Sequence, residues 1–236
     1  MIKAVFFDFY NTLVDFDPPR EEVQVEICRE FGIEAAPEAI RRAIPAADDF
    51  FYQENVRSPI SKRPPQEKLD FYAEYESRIL EAAGVEVSKE VALQIMAKFG
   101  LKLRQPDAKL VIFDDVEPVL AQLKEKGLTL GMITNVDYDI APVCHKLGLF
   151  SYLDFVVTSH EVHTEKPNPA IFHAALERAA VKASEAIHVG DQYHADVLGA
   201  RNAGIKPLLL DRDGFYVKVS DCPRIRSLAE VVEYLL

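Results

Sequence analysis

Cysteine is scarce. The 236 residues hold three, Cys28, Cys144 and Cys222, odd in number and far apart. They form no CxxC pair, which argues against a disulfide scaffold or a structural zinc site. No stretch approaches the roughly 18 consecutive apolar residues of a membrane-spanning helix. Internal repeats and low-complexity linkers are also lacking. The opening string MIKAVFFDFYNTLV is broken at once by Asp8, so it does not read as a secretion signal. Positive charge is in deficit, with 27 Lys and Arg against 38 Asp and Glu and a net charge of −11. Such a surface repels phosphate backbones and anionic lipid, so neither nucleic acid nor membrane is an expected partner. A small anionic substrate in a locally positive pocket remains compatible with it. A cytoplasmic monomer or homodimer is expected.

What is there is ordinary globular material, 49% apolar and 28% charged. The length suits one large domain, or a core of about 150 residues with an insertion. The run at 3–7 is a short apolar strand that delivers Asp8 to its carboxyl end. Between residues 15 and 100 the texture is helical. The spacing predicts helices over 20–31, 38–52, 66–83 and 88–99, with Pro or Gly between them and no convincing strand. From 114 onward strands and helices alternate. Strands are predicted at 128–133, 154–158, 186–189 and 207–210, and helices at 116–126, 140–147, 169–180, 195–203 and 228–235. That rhythm means βαβ units and a parallel sheet. The expected class is therefore α/β: a Rossmann-like core of residues 1–14 and 101–236, with a helical cap inserted at 15–100.

In an open parallel sheet, ligands bind beyond the carboxyl ends of the strands. Those ends hold Asp8, Thr134, Asn135, Ser159 and Asp191, all polar. A carboxylate such as Asp8 on a rigid strand end can act as a nucleophile. Asn11 and Thr12 turn the chain over it, and the backbone N–H groups of such a turn can hold developing negative charge. Thr134 offers a hydroxyl, and Asn135 is suited to bond an anionic oxygen. Lys166, in TEKPNPAIF, can neutralise a carboxylate nucleophile and its substrate. Asp191 and Asp196, in GDQYHADVLGA, complete with Asp8 an oxygen-rich set suited to Mg²⁺.

In this order the strings DFYNT (Asp8 to Thr12), Thr134-Asn135, Lys166-Pro167 and Gly190-Asp191 with Asp196 resemble the four signatures of the haloacid dehalogenase-like hydrolase superfamily. The insertion after the first signature matches the helical cap of its haloacid dehalogenase and phosphoglycolate phosphatase subclass. The resemblance implies an active site closed by the cap and a covalent aspartyl intermediate on Asp8. It also implies catalytic roles for Tyr10, Thr134 and Lys166, and substrate contacts at Asn11, Thr12 and Asn135. Mg²⁺ would be held by Asp8, Asp191, the carbonyl of Tyr10 and, through water or by orientation, Asp196.

The signatures pull two ways. Phosphatases of this kind usually carry a second Asp two residues after the nucleophile; here that residue is Tyr10, as in the metal-independent 2-haloacid dehalogenases. Against this, Asp191 and Tyr193 stand where dehalogenases typically have Ser and Asn, and Phe172 where they usually have Tyr. Asp191 weighs more, because a carboxylate beside Asp8 calls for a cation. A Mg²⁺-dependent phosphatase of a small phosphorylated metabolite is the favoured reading. A 2-haloacid dehalogenase and a catalytically weak anion-binding protein are the alternatives.

Other residues carry less. His160, His163 and His194 lack zinc spacing. Arg57, Lys62 and Arg63, in RSPISKRPP, read as a solvated loop or as a cap loop facing the substrate anion, with Arg20 a second candidate for that contact.

Overall fold

Ala4–Phe7 (β1), reading AVFF, is buried at all four positions, as a central strand covered on both faces must be. The computed structural model describes residues 1–103 and 109–235. Beside β1 lie Thr129–Thr134 (β4) on one flank and Ala186–Gly190 (β6) on the other, both parallel to it. Phe155–Thr158 (β5), Lys206–Leu210 (β7) and the two-residue Arg224–Ile225 (β8) complete a six-stranded sheet of order β5-β4-β1-β6-β7-β8. Two further strands, Val14–Asp17 (β2) and Lys109–Ile112 (β3), pair with each other. The sequence reading passed over them because VDFD and KLVI are short, and VDFD alternates acidic with apolar residues.

Strand alternation sends Ala4 and Phe6 to one face of the sheet, where they meet Ile171, Phe172, Ala175 and Ala200. Those residues come from Pro169–Ala179 (α6) and Leu198–Asn202 (α7). Phe6 and Phe155 touch edge to face, their ring centroids 5.9 Å apart. Val116–Glu125 (α5) packs on β4 with Val119, Leu120 and Leu123 buried. The chain divides into two compact units, Met1–Asp15 with Val111–Leu236, and Phe16–Leu110.

Among its described residues the second unit has four α-helices: Arg20–Glu30 (α1), Pro37–Arg57 (α2), Pro65–Ala82 (α3) and Lys89–Leu103 (α4). Their core contains Ile27, Ile40, Ile44, Ile79, Leu80, Ile95 and Phe99. Pro45 sits inside α2 without ending it, and the helix runs five residues beyond the expected 52, to Arg57. A buried polar set crosses the unit. Gln24 donates to Glu76 at 2.6 Å, and Tyr75 donates to Asp48 at 2.5 Å while accepting from Arg20. Burial pushes the Glu76 carboxyl up to about 7.

The basic stretch proves to be divided. Arg63 folds inward, donating to the carbonyls of Glu54 and Ser58 and lying 5.0 Å over the Phe71 ring. It thereby closes the C-terminus of α2, whose last carbonyls lack helical donors. Arg57 is exposed and pairs with Glu54, and Lys62 is exposed.

Candidate active site

The ladder that builds the sheet also builds the site. Its register sets Phe7 beside Met132 on β4 and beside Val189 on β6, and the Asp8 N–H continues to the Val189 carbonyl at 2.9 Å. The strand ends of β1, β4 and β6 therefore bring Asp8, Thr134 and Asp191 to one edge. Past Asp8 the chain turns sharply. The Phe9 carbonyl accepts the N–H groups of Leu13 and Val14, and Asn11 takes a left-handed φ of 57°, which Asn tolerates better than most residues.

Lys166 lies at the centre, 3% exposed. Its ammonium donates to Asp8 Oδ1 and, at 2.6 Å, to Asp196 Oδ1. Asn135 holds the main chain of that lysine at both ends: its Oδ1 accepts the Lys166 N–H at 2.7 Å, and its Nδ2 donates to the Lys166 carbonyl at 3.0 Å. The sequence reading set the Asn135 side chain against an anionic substrate oxygen; its Oδ1 and one Nδ2 hydrogen serve Lys166, and the second Nδ2 hydrogen is the one such a contact would use.

Asp196 is 1% exposed, and both its oxygens are held. Oδ1 meets Lys166 and His188 Nε2, the latter at 2.8 Å, and Oδ2 accepts the Gln192 N–H at 3.0 Å. Two backbone features let it come so close. Residues Tyr193–Val197 form a π-helical turn, where a regular helix from 195 was expected, and such turns occur often at functional sites. Gly190 leaves the space, since a Cβ there would stand 2.2 Å from Asp196 Cγ. Gly199 does the same for the partner segment, where a Cβ would lie 3.0 Å from Pro167 Cα.

The charges are set by burial and by these contacts. Burial pushes the Asp8 carboxyl up to about 6, against the pull of Lys166. Burial alone would lower Lys166, but Asp196 and Asp8 outweigh it and hold the ammonium above its usual range. For Asp196 burial acts upward, yet Lys166 and His188 keep the carboxyl well below normal. Burial holds His188 below the usual imidazole value.

Asp191 is half-buried and accepts from Asn11 Nδ2 at 3.2 Å and Gln192 Nε2 at 3.1 Å. Asp8, Asp191 and Asp196 each present an oxygen within 4.8 Å of the others. Tyr10 reaches the Tyr138 hydroxyl at 3.0 Å, and burial raises its phenol further above the physiological range. Thr12, which the sequence reading placed in the turn whose backbone N–H groups face the substrate, has a buried side chain, and its carbonyl accepts from Arg212 at 3.0 Å. Arg212 also grips Asp115 through two 2.9 Å bonds. That clamp on the loop after Asp8 escaped the sequence reading, because DRD after a strand looks like any charged turn. His188 escaped it too, hidden in what reads as a plain strand. His160, His163 and His194 do not join the carboxylate group.

Among the described residues, no helix is long and apolar enough to cross a membrane. A family model described as haloacid dehalogenase-like hydrolase matches residues 2–204. The chain is 32% identical over 219 residues to glyceraldehyde 3-phosphate phosphatase of Methanopyrus kandleri, covering 90% of this chain and 85% of that protein. A shorter match, 40% identical over 101 residues, covers 43% of this chain and 42% of haloacid dehalogenase-like hydrolase domain-containing protein 3 of Danio rerio. Among solved structures, a 2-haloacid dehalogenase from Pseudomonas syringae pv. Tomato DC3000 is 28% identical with a TM-score of 0.57, covering 100% of this chain and 98% of that one. By family model, by full-length relatives and by fold, the chain belongs to the haloacid dehalogenase-like hydrolases.

Proposed function

We propose that this chain is a Mg²⁺-dependent phosphatase of a small phosphorylated metabolite. The observation that carries the reading is Asp191. Three carboxyl groups share a space of 4.8 Å with a single lysine between them, an excess of negative charge that a cation would balance. Their oxygens are hard ligands of the kind Mg²⁺ takes. Asp8 and Asp191 would hold the ion directly with the Tyr10 carbonyl. Asp196, with both oxygens already engaged, would orient the site instead. Bound there, Mg²⁺ would offset the charge of nucleophile and phosphate together. The phosphatase relative from Methanopyrus kandleri supports the substrate class, and glyceraldehyde 3-phosphate belongs in any first substrate panel.

In this reading Asp8 attacks phosphorus, the bond to the leaving oxygen breaks, and that oxygen takes up a proton. Water then attacks the phosphoaspartate, releasing inorganic phosphate and restoring the carboxylate. Lys166 holds the nucleophile in place, and Asn135 holds Lys166. Phosphate release should vanish in EDTA and return with Mg²⁺. Calorimetry should show Asp191→Ala binding Mg²⁺ at least about tenfold more weakly than wild type. Metal-independent phosphate release would overturn the assignment.

Tyr10 shapes the kinetics. Its raised phenol can donate a proton to a leaving oxygen but is a poor base for water at neutral pH. Hydrolysis of the phosphoenzyme should therefore limit turnover, giving a burst of alcohol stoichiometric with enzyme in stopped flow on an activated ester. Tyr10→Asp should abolish the burst and raise the steady-state rate. A linear first turnover with a slower Tyr10→Asp enzyme would place the base elsewhere. Tyr10 and the Pseudomonas syringae structure also favour a second reading, 2-haloacid dehalogenation. Chloride release from a 2-haloacid, unaffected by EDTA, would select it.

A further inference from the structure

His188 stands where an apolar residue would serve the core. It is 1% exposed on β6, edge-on to Phe172 with ring centroids 5.0 Å apart, and its neighbours on that face of the sheet are aliphatic or aromatic. Its Nδ1 has no hydrogen-bond partner among the described residues. An unpaired buried polar atom works against the fold. The compensation lies on the other side of the ring, where Nε2 is 2.8 Å from Asp196 Oδ1. A carboxylate only accepts, so Nε2 carries the proton and Nδ1 the lone pair. The same Oδ1 accepts from Lys166, whose ammonium also reaches Asp8.

We infer that His188 is a positioning residue for the hydrolysis, fixing Asp196 so that Lys166 is shared with Asp8 rather than drawn to Asp196 alone. The contacts form one line, His188 to Asp196 to Lys166 to Asp8, and its far end is the part solvent never reaches. Asp196 Oδ2 is pinned by the Gln192 N–H, so Oδ1 is the oxygen whose direction depends on a side chain. Without the imidazole that oxygen answers to Lys166 alone. The carboxylate can then turn toward the ammonium and loosen its hold on the nucleophile.

The catalytic part of the inference rests on the proposed phosphatase activity; the hydrogen bond does not. Two variants of the full chain separate the roles. His188→Leu keeps the approximate volume without a donor, and His188→Gln places an amide N–H near the Nε2 position. With p-nitrophenyl phosphate and Mg²⁺, His188→Leu should lose about 10–100-fold in kcat with KM held within about twofold, and His188→Gln should regain most of it. Nitrogen NMR of the metal-free wild type should show a protonated Nε2 and a bare Nδ1. The inference falls if His188→Leu retains kcat within about threefold, or if Gln and Leu are equally impaired at equal melting temperature. It falls also if the proton sits on Nδ1. Should His188→Leu not fold, His188→Gln and the nitrogen shifts still decide. A wild type inert toward phosphate esters would sink the phosphatase reading, while the nitrogen shifts would still judge the hold on Asp196.

Discussion

Asp8→Asn should abolish turnover and, at pH 8 in EDTA, melt at a higher temperature than wild type. The loss follows from chemistry, because an amide cannot form the aspartyl intermediate. Removing a nucleophile costs on the order of 10⁴–10⁶ in kcat. The gain in stability follows from burial. Asp8 has a folded value of about 6 against an ordinary 3.8, so the folded state binds the proton more tightly than the unfolded chain does. Stability is therefore highest below the unfolded value, falls as pH rises through the window from about 4 to 6, and stays low above it. The difference of about two pH units corresponds to about 3 kcal/mol against the fold at pH 8. Asparagine does not ionise, can still accept from Lys166, and leaves that lysine its stronger partner in Asp196. Melting curves at pH 4 and pH 8 test the sign: the advantage of Asp8→Asn should be large at the higher pH and shrink at the lower. A variant that melts below wild type at pH 8, or turns over at a substantial fraction of its rate, contradicts the account.

The same burial explains what could be read from the residues and what could not. A parallel strand covered on both faces shows as an unbroken apolar run, so AVFF and the break at Asp8 were legible, as was the Gly-Asp after β6. Because the sheet edge gathers strand ends, Asp8, Thr134, Asn135 and Asp191 followed from alternation alone, whereas Lys166 was singled out from the string TEKPNPAIF. Roles that depend on direction did not follow. Nothing in Thr-Asn says that the amide of Asn135 turns to the Lys166 main chain, and nothing in the loop sequence says that Thr12 is sealed from solvent. Tertiary contacts made those choices. The π-helical turn at Tyr193–Val197 was invisible for the same reason: its apolar spacing looks helical, and the close approach of Asp196 to Gly190 that accompanies the wider turn is a tertiary contact. Arg63 read as one of three solvated cations because a C-terminal cap supplied from nine residues away leaves no periodic trace.

Lys166→Met should produce the largest combined loss, in activity and in stability. The wild-type lysine is 3% exposed between two carboxylates that are themselves buried. Its folded value lies above the ordinary one, so its contribution is complete below about pH 10 and is lost only as pH climbs past that point. Methionine fills a similar volume but leaves Asp8 and Asp196 facing each other without a cation. Breaking a buried ion pair from one side costs about 3–5 kcal/mol. Here the cost should depend on pH, because protonating the carboxylates relieves it: largest near pH 8, smaller near pH 4. Turnover should fall at every pH, since the nucleophile loses the group that holds it. A second substitution separates the two effects. Adding Asp196→Asn to Lys166→Met removes one of the opposed charges, and should recover most of the stability while recovering no activity. Urea unfolding of both variants at the two pH values, beside their phosphate release, measures each part. If Lys166→Met matches wild type in stability at pH 8, the opposed carboxylates are not the strain inferred for them. If the double variant regains turnover, the role given to Lys166 in holding Asp8 is wrong.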